Sequence, residues 1–251
     1  MIVGDWQVDT VSGGPFRLDG GAMFGVVPKP VWEKSLAADE KNRIPMETNC
    51  VLARDGSQVV LIDTGYGSKL SDVERGRLDA VPGNVLVENL ARLGVAPEDV
   101  DTVVFSHLHF DHAGGGTRNS EQGEVVPTFP RAAYVAGQQE WEDAMSGCAE
   151  LRGAYPVENL SPIEQAGKLR LIRDGDAVAP GWIARQTGGH TRGHQALVLE
   201  SGGAPWSRHL PTHDSRSDSF SRCLKMVRGS TPRSRADLVR LPSLSSSTSL
   251  I

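Results

Sequence analysis

The chain has 251 residues, 39% of them hydrophobic and 23% charged, with 28 glycines, 15 prolines and a formal net charge of −5. That balance fits a globular protein with many turns, and its sign argues against a nucleic-acid partner. No stretch approaches the roughly 18 to 20 consecutive apolar residues of a membrane span, and Met1 to Trp6 lacks the basic and apolar segments of a secretory leader, so a cytoplasmic protein with no membrane partner is expected.

From about Trp6, short apolar runs alternate with Gly, Pro and Asp, which predicts short strands in succession. The apolar stretch Phe16 to Val31, with Met23, Phe24, Val26, Val27 and nearby Trp32, is expected to pack into the core; a dimer face, hence a possible homodimer, and a substrate lid are its other uses. Asn49 to Ala53 and Gln58 to Asp63 flank the turn Arg54-Asp55-Gly56-Ser57 and predict a hairpin. Asn84 to Gly94 carries apolar residues at helical spacing, with Asn84 suited to the N-cap and Gly94 to the stop. Val100 to Phe105 predicts a buried strand that ends where a histidine cluster begins. Ala132 to Ala136 predicts a strand, Gln138 to Met145 a short helix, and residues 168–173, 182–186 and 195–200 further strands. The three cysteines, Cys50, Cys148 and Cys223, are odd in number and widely spaced, so free thiols are expected.

After Gly203 the patterning fails. Residues 204–251 hold 8 Lys and Arg against 3 Asp, where the preceding part holds 18 against 28 acidic residues, and the tail is rich in Ser and Arg. Two parts are therefore expected: one α/β domain over residues 1–203 and an atypical, weakly ordered segment over 204–251.

The run Ser106-His107-Leu108-His109-Phe110-Asp111-His112 places four potential metal ligands within six residues, directly after a strand. At an extended strand end, positions 107 and 109 project to one side, so their imidazoles can converge on one ion; Asp111 and His112 fall where the chain turns toward Gly114-Gly115-Gly116 and can face a second. Imidazole with carboxylate suits Zn²⁺ and admits Mn²⁺, Fe²⁺ or Co²⁺.

The pattern His107-x-His109-x-Asp111-His112 resembles the HxHxDH signature of the metallo-β-lactamase superfamily, and its Leu108, Phe110 and Ala113-Gly114-Gly115 context is similar to the branch of N-acyl-homoserine lactonases. Leu61-Ile62-Asp63-Thr64-Gly65 resembles the family's early Asp-bearing strand end. Thr187-Gly188-Gly189-His190-Thr191-Arg192-Gly193-His194 resembles its GHTPGH motif, with Arg192 where Pro is commoner. The resemblance implies an αββα sandwich of two mixed sheets with helices outside, incomplete in its C-terminal half. It further implies that His107, His109 and His190 hold one ion, that Asp111 and His112 contribute to a second, and that Asp111 also orients the attacking water. Asp63 would orient ligands rather than bind metal, and His194 would brace its loop. The implied activity is metal-dependent hydrolysis of a small-molecule ester-like bond, a lactone first, with thioester, phosphotriester and β-lactam substrates open. A non-catalytic metal-binding member and an iron-dependent sulfur dioxygenase or diiron partner of a flavoprotein are the alternatives on the same scaffold.

Two ligands of the resembled pattern, a later bridging Asp and a final His, have no counterpart in context; His209, His213, Asp214 and Asp218 fall in the atypical tail. One expectation is that translation from about Ala204 follows a shifted reading frame. Arg208-His209-Leu210, written CGA-CAT-CTN, reads one base later as Asp-Ile.

Overall fold

A computed structural model of the chain describes residues 1–151, 153–200, 226–228 and 237–239. After β1 (Ile2–Val3), β2 runs from Trp6 to Asp19, and the chain returns through helices α1 (Gly20–Phe24) and α2 (Lys29–Trp32) as β3 (Arg43–Arg54), paired antiparallel with β2 from Gln7↔Arg54 to Asp19↔Arg43. The expected succession of short strands is here a single strand of 14 residues. Ser12-Gly13-Gly14-Pro15, which reads as turn punctuation, is absorbed by a register shift between Ser12 and Gly14, and Gly14 supplies the positive φ of 125°. A bulge of this kind lets a strand keep its partner while accommodating an extra residue.

The hairpin partner β4 (Val59–Ile62) lies antiparallel to β3 and is followed by α3 (Asp72–Leu78) and α4 (Val85–Arg92). Asn84 caps α4 by accepting from the Val87 amide at 3.3 Å, Leu86 and Leu90 form its buried stripe, and Gly94 at φ 73° stops it. Next come β5 (Thr102–Val104), parallel to β4, the short helix α5 (Phe110–Ala113), and the hairpin β6 (Thr117–Asn119) and β7 (Val125–Pro127). Then β8 (Ala133–Gly137) pairs parallel to β5, and α6 (Gln138–Met145) and α7 (Val157–Gln165) lead to β9 (Leu169–Ile172), parallel to β8. The result is a mixed seven-stranded sheet in the order β1-β2-β3-β4-β5-β8-β9. A second, antiparallel sheet comprises β10 (Ala177–Ala179), β11 (Trp182–Gln186) and β12 (Gln195–Leu199); a separate two-stranded ladder joins β13 (Met226–Arg228) and β14 (Asp237–Val239).

Side-chain alternation builds the layers. Leu52, Leu61, Val103, Tyr134 and Ala136 face one side of the large sheet and pack with Leu86, Leu90, Trp141, Leu160 and Ile163 of the helices. Their neighbours Val51, Ala53, Val60, Ile62, Val104 and Val135 face the other side and pack against Trp182, Ala184, Leu197 and Leu199 of the second sheet. Strands buried on both faces need apolar residues at successive positions, which is why Val59 to Ile62 and Val103 to Phe105 read as continuous apolar runs. Among the described residues the layers are thus helices, large sheet and small sheet.

The N-terminal apolar stretch divides in two. Phe16 and Trp32 are buried with Ile44, Met46 and Tyr66, and Met23 and Phe24 pack partly against them, as core packing requires; Val26, Val27 and Val31 are exposed.

Where β4 and β5 end, two loops meet backbone to backbone. The Thr64 amide donates to His112 O at 2.7 Å and the Gly115 amide to Gly65 O at 2.9 Å. A Cβ on Gly115 would lie inside the contact distance of Thr64 O, and one on Gly67, which also has φ 71°, would meet Gly115. Glycine is required at both places for the loops to come this close.

Candidate metal centre

Parallel pairing of β4 and β5 brings Asp63 beside Ser106, with the Asp63 amide donating to Val104 O at 2.9 Å. Asp63 adopts a left-handed φ of 59°. A backbone state uncommon in L residues other than Gly, Asn and Asp needs support from its surroundings. Its carboxylate provides it: Oδ1 accepts from the Ser106 amide at 2.7 Å, and Oδ2 accepts from Ser106 Oγ at 2.7 Å and lies 2.9 Å from His112 Nδ1. Ser106 Oγ is also 3.1 Å from His107 Nδ1. Because the hydroxyl has one proton and gives it to Asp63, its lone pair is left to accept from His107 Nδ1–H. Both Nδ1 atoms are therefore engaged on the far side, and the Nε2 atoms of His107 and His112 are turned inward.

Those two Nε2 atoms are buried without a hydrogen-bond partner. An unsatisfied buried polar atom costs about 1–3 kcal/mol, so the arrangement fits a cation at this place. For His112, burial pushes the pKa down, but the Asp111 and Asp63 carboxylates outweigh it and raise it to about 9. The same two carboxylates favour any cation there, a proton or a metal ion.

His109, at the N-cap of α5, and His190, on the loop between β11 and β12, complete the group. Although 81 residues apart in sequence, their Nδ1 and Nε2 atoms are 3.1 Å apart. The ring of His107 lies 4.7 Å from each, and one ligand atom from each of His107, His109 and His190 lies within 4.8 Å of the others. Burial, then neighbouring imidazoles, hold His109 down to about 3; burial also lowers His107 and His190. These rings are neutral at pH 7 and offer lone pairs, as metal ligation demands. The chemistry of the donor set fits a divalent ion.

Asp111 and His112 sit beside this trio but outside the group of three. The His112 ring lies 4.0 Å from that of His107, tilted by 47°, its Nε2 is 3.5 Å from Asp111 Oδ2, and both Asp111 and His112 are buried. They lie within the single turn of α5, where the sequence predicts a turn of the chain. His194 is buried 5.4 Å from His107; its Nδ1 contacts Thr187 Oγ1 at 2.6 Å, and burial chiefly depresses it to about 4. The tail candidates His209, His213, Asp214 and Asp218, the frame-shift reading, and Cys223 lie outside the described residues; Cys50 is buried and Cys148 exposed, both free.

Sequence reasoning assigned no role to Ser106, Glu140 or Tyr155. Glu140, on α6, accepts from the Leu108 amide and from Thr191 Oγ1, and the Tyr155 ring lies 5.2 Å from that of His109. No local signal marks Glu140 in a helix sequence that looks merely polar. A cavity of about 1070 Å³ is walled by Phe110, which follows His109 in the chain, and by Tyr155, Tyr66, Leu78, Arg17 and Lys69; none of the histidines lines it. Lys69 Nζ donates to Gly114 O and Thr117 O, and burial lowers its pKa to about 8.

The family model described as metallo-beta-lactamase superfamily matches residues 43–206. An N-acyl homoserine lactonase from Bacillus sp. is 32% identical over 163 residues, covering 61% of this chain and 58% of the relative, so the match spans less than two thirds of that relative's length. The crystal structure of a probable metal-dependent hydrolase from Staphylococcus aureus superposes with a TM-score of 0.70 at 30% identity, covering 79% of this chain and 74% of the other. An N-acyl homoserine lactone hydrolase with N-hexanoyl-L-homoserine, its product, at the catalytic metal centre superposes with a TM-score of 0.54 at 23% identity, covering 79% and 76%. No helix among the described residues is long and apolar enough to cross a membrane.

Proposed function

The chain belongs to the metallo-beta-lactamase superfamily, and from that premise we propose that it is a metal-dependent hydrolase of small ester-like substrates, with a lactone as the preferred class. The observation that carries the reading is the convergence of His107, His109 and His190 on one point. Lactone is favoured over thioester, phosphotriester and β-lactam by the N-acyl homoserine lactonase among the relatives and by the product seen at the metal centre of the structural neighbour.

In this reading His107, His109 and His190 hold one ion, and Asp111 and His112 contribute to a second, with Zn²⁺ matched best by the imidazole and carboxylate donors and Mn²⁺, Fe²⁺ or Co²⁺ admissible. When bound, a divalent ion supplies Lewis acidity toward a carbonyl oxygen and acidifies water. The chain's own groups do the rest. Asp63 and Ser106 fix the ring tautomers of His112 and His107, so that Nε2 of each faces the site. Asp111 is the catalytic carboxylate: it takes the proton of the attacking water as the carbonyl carbon is engaged, and returns it to the alcohol oxygen when the ring C–O bond breaks. Phe110 and Tyr155, in the wall of the neighbouring cavity, would offer aromatic surface to the acyl group.

Turnover in this chain is expected to be low, because the bridging Asp and final His of the family pattern have no counterpart in context in the sequence. A bridging carboxylate supplies both charge and a ligand, so its loss weakens the second site first. The test is metal analysis of the purified protein after loading with Zn²⁺ and Mn²⁺, beside a panel of lactone, ester and phosphotriester substrates. One firmly held ion and weak lactone opening are expected. Two firmly held ions contradict the impairment, absence of metal uptake defeats the hydrolase reading, and iron with oxygen consumption would favour the dioxygenase. Sequencing the encoding gene decides the frame-shift proposal for residues 204–251: early stop codons in the shifted frame, or no Asp at position 208–210, sink it.

A further inference from the structure

Glu140 is 1% exposed, and no role in the proposed chemistry uses it. Its two oxygens go to two different parts of the site. Oε1 accepts from the amide of Leu108, the residue between His107 and His109, at 3.0 Å; Oε2 accepts from Oγ1 of Thr191, the residue after His190, at 2.6 Å. Tyr155 is a further neighbour: burial first and the Glu140 charge second raise its pKa, and its ring lies 5.2 Å from that of His109. Gly193 presses on the same place: a Cβ there would collide with the Glu140 backbone.

Burying a carboxylate costs several kcal/mol unless hydrogen bonds compensate. Here two donors and a place in the first turn of α6, where the helix dipole favours negative charge, offset that cost. Both oxygens are spent on protein donors, so Glu140 is not placed to ligate an ion. What the bonds accomplish is mechanical. The segment carrying His107 and His109 follows β5 of the large sheet, and the loop carrying His190 joins two strands of the small one. The two segments are tied at their bases, where the Gln195 amide donates to Ser106 O at 2.9 Å and Gln195 Nε2 donates to Phe105 O at 2.8 Å, but among the described residues no backbone hydrogen bond joins them farther out, at His109 and His190.

We propose that Glu140 is a positioning residue: its buried carboxylate ties the His107–His109 segment to the His190 loop and so sets the approach of the three imidazoles. The proposal rests on the reading of those histidines as a metal site. Glutamine at this position keeps the tie, since its carbonyl accepts from Leu108 N–H and its amide donates to the Thr191 hydroxyl oxygen. Alanine removes it, and Thr191→Val removes one arm.

The test compares the full chain with Glu140→Gln, Glu140→Ala and Thr191→Val. Three readouts are taken: Co²⁺ affinity by chelator competition, the visible absorption of the Co²⁺ form, and amide hydrogen exchange at Leu108 in metal-free protein. Glu140→Ala is expected to lose about 10- to 100-fold in Co²⁺ affinity, the range for groups that orient ligands, with altered visible bands and faster exchange at Leu108. Glu140→Gln should stay within a few-fold of the parent in affinity and keep Leu108 protected. Thr191→Val should weaken Co²⁺ binding while leaving Leu108 protected, and it carries the test if Glu140→Ala does not fold. Parental affinity and spectrum in Glu140→Ala or in Thr191→Val overturn the inference alone, as does a Glu140→Gln chain as damaged as the alanine variant. A parent that takes up no Co²⁺ overturns the metal reading and this inference with it.

Discussion

The inner and outer halves of the histidine cluster are built on different principles. His107 and His112 are buried, and each has its Nδ1 engaged through Ser106 or Asp63, so ring orientation is fixed by a polar chain rooted at the ends of two adjacent parallel strands. His109 is half-buried and His190 exposed, and the polar contact recorded for each ring is to the other. The comparison teaches that a cluster of this kind divides its labour: strand ends hold some of the rings in fixed orientations, while the others sit on segments whose approach a cross-link such as Glu140 would define.

The contrast breaks most visibly at Asp63. Asp63→Ala leaves the Ser106 amide, the Ser106 hydroxyl and His112 without their acceptor, and a loss of about 3–5 kcal/mol is expected, the range for breaking a buried charged pair; urea denaturation of the metal-free protein measures it. His190→Ala, in the outer half, should change that same stability by no more than about 0.5 kcal/mol. Equal losses in the two variants would erase the distinction.

Metal linkage sharpens it from the other side. Zn²⁺ at a hundredfold excess over its dissociation constant should stabilise the folded chain by about 2.7 kcal/mol, read as a rise in Tm. His190→Ala should abolish that rise although the metal-free stability is unchanged. A full rise without His190 removes the outer half from the site.

The pH dependence of the metal-free protein follows from the shifts. His109 and His194 are held neutral down to about 3 and about 4, while in the unfolded chain they titrate near 6.5. Unfolding therefore takes up protons below about pH 6.5, and stability falls as pH falls through that window, by about 1.4 kcal/mol per pH unit for each proton taken up. His112 runs the opposite way: raised to about 9, it contributes stability that is fully present below about 6.5 and lost as pH rises toward 9. Urea midpoints should thus peak near neutrality, and a higher midpoint at about pH 5 would show that the rings are charged in the native state.

The smallest effect is expected at Arg192, whose guanidinium pairs with Asp143 but is 75% exposed. Exposed pairs contribute about 0–1 kcal/mol, so Arg192→Ala should leave Tm nearly unchanged. A large drop would mean that the His190 loop is held from outside as well as through Thr191.

Much of this was legible in the sequence where short-range chemistry decides. The apolar runs at Val59 to Ile62 and Val103 to Phe105 mark strands covered on both faces, Asn84 and Gly94 bracket α4 within two residues of its ends, and the histidine motifs mark the residues that converge as His107, His109 and His190. The long β2 was not legible, because Gly13, Gly14 and Pro15 look like a turn until β3 is present to pair across the bulge. Nor was α7, where Pro156 and Pro162 interrupt the pattern and Ser161 Oγ bonds back to Val157 O. Glu140 stayed hidden for a different reason. Its partners Leu108 and Thr191 are 32 and 51 residues away, and only tertiary packing turns an ordinary polar helix position into a buried bridge.

The glycine seam between residues 64–67 and 113–116 has one more implication. Main-chain atoms there touch with no side chains between them, so the spacing of the two loops is set by atomic radii and not by the choice of amino acids around them. A chimera with a distant cousin would therefore have to exchange both loops together. Swapping either alone would leave a mismatch that no repacking of neighbours can absorb.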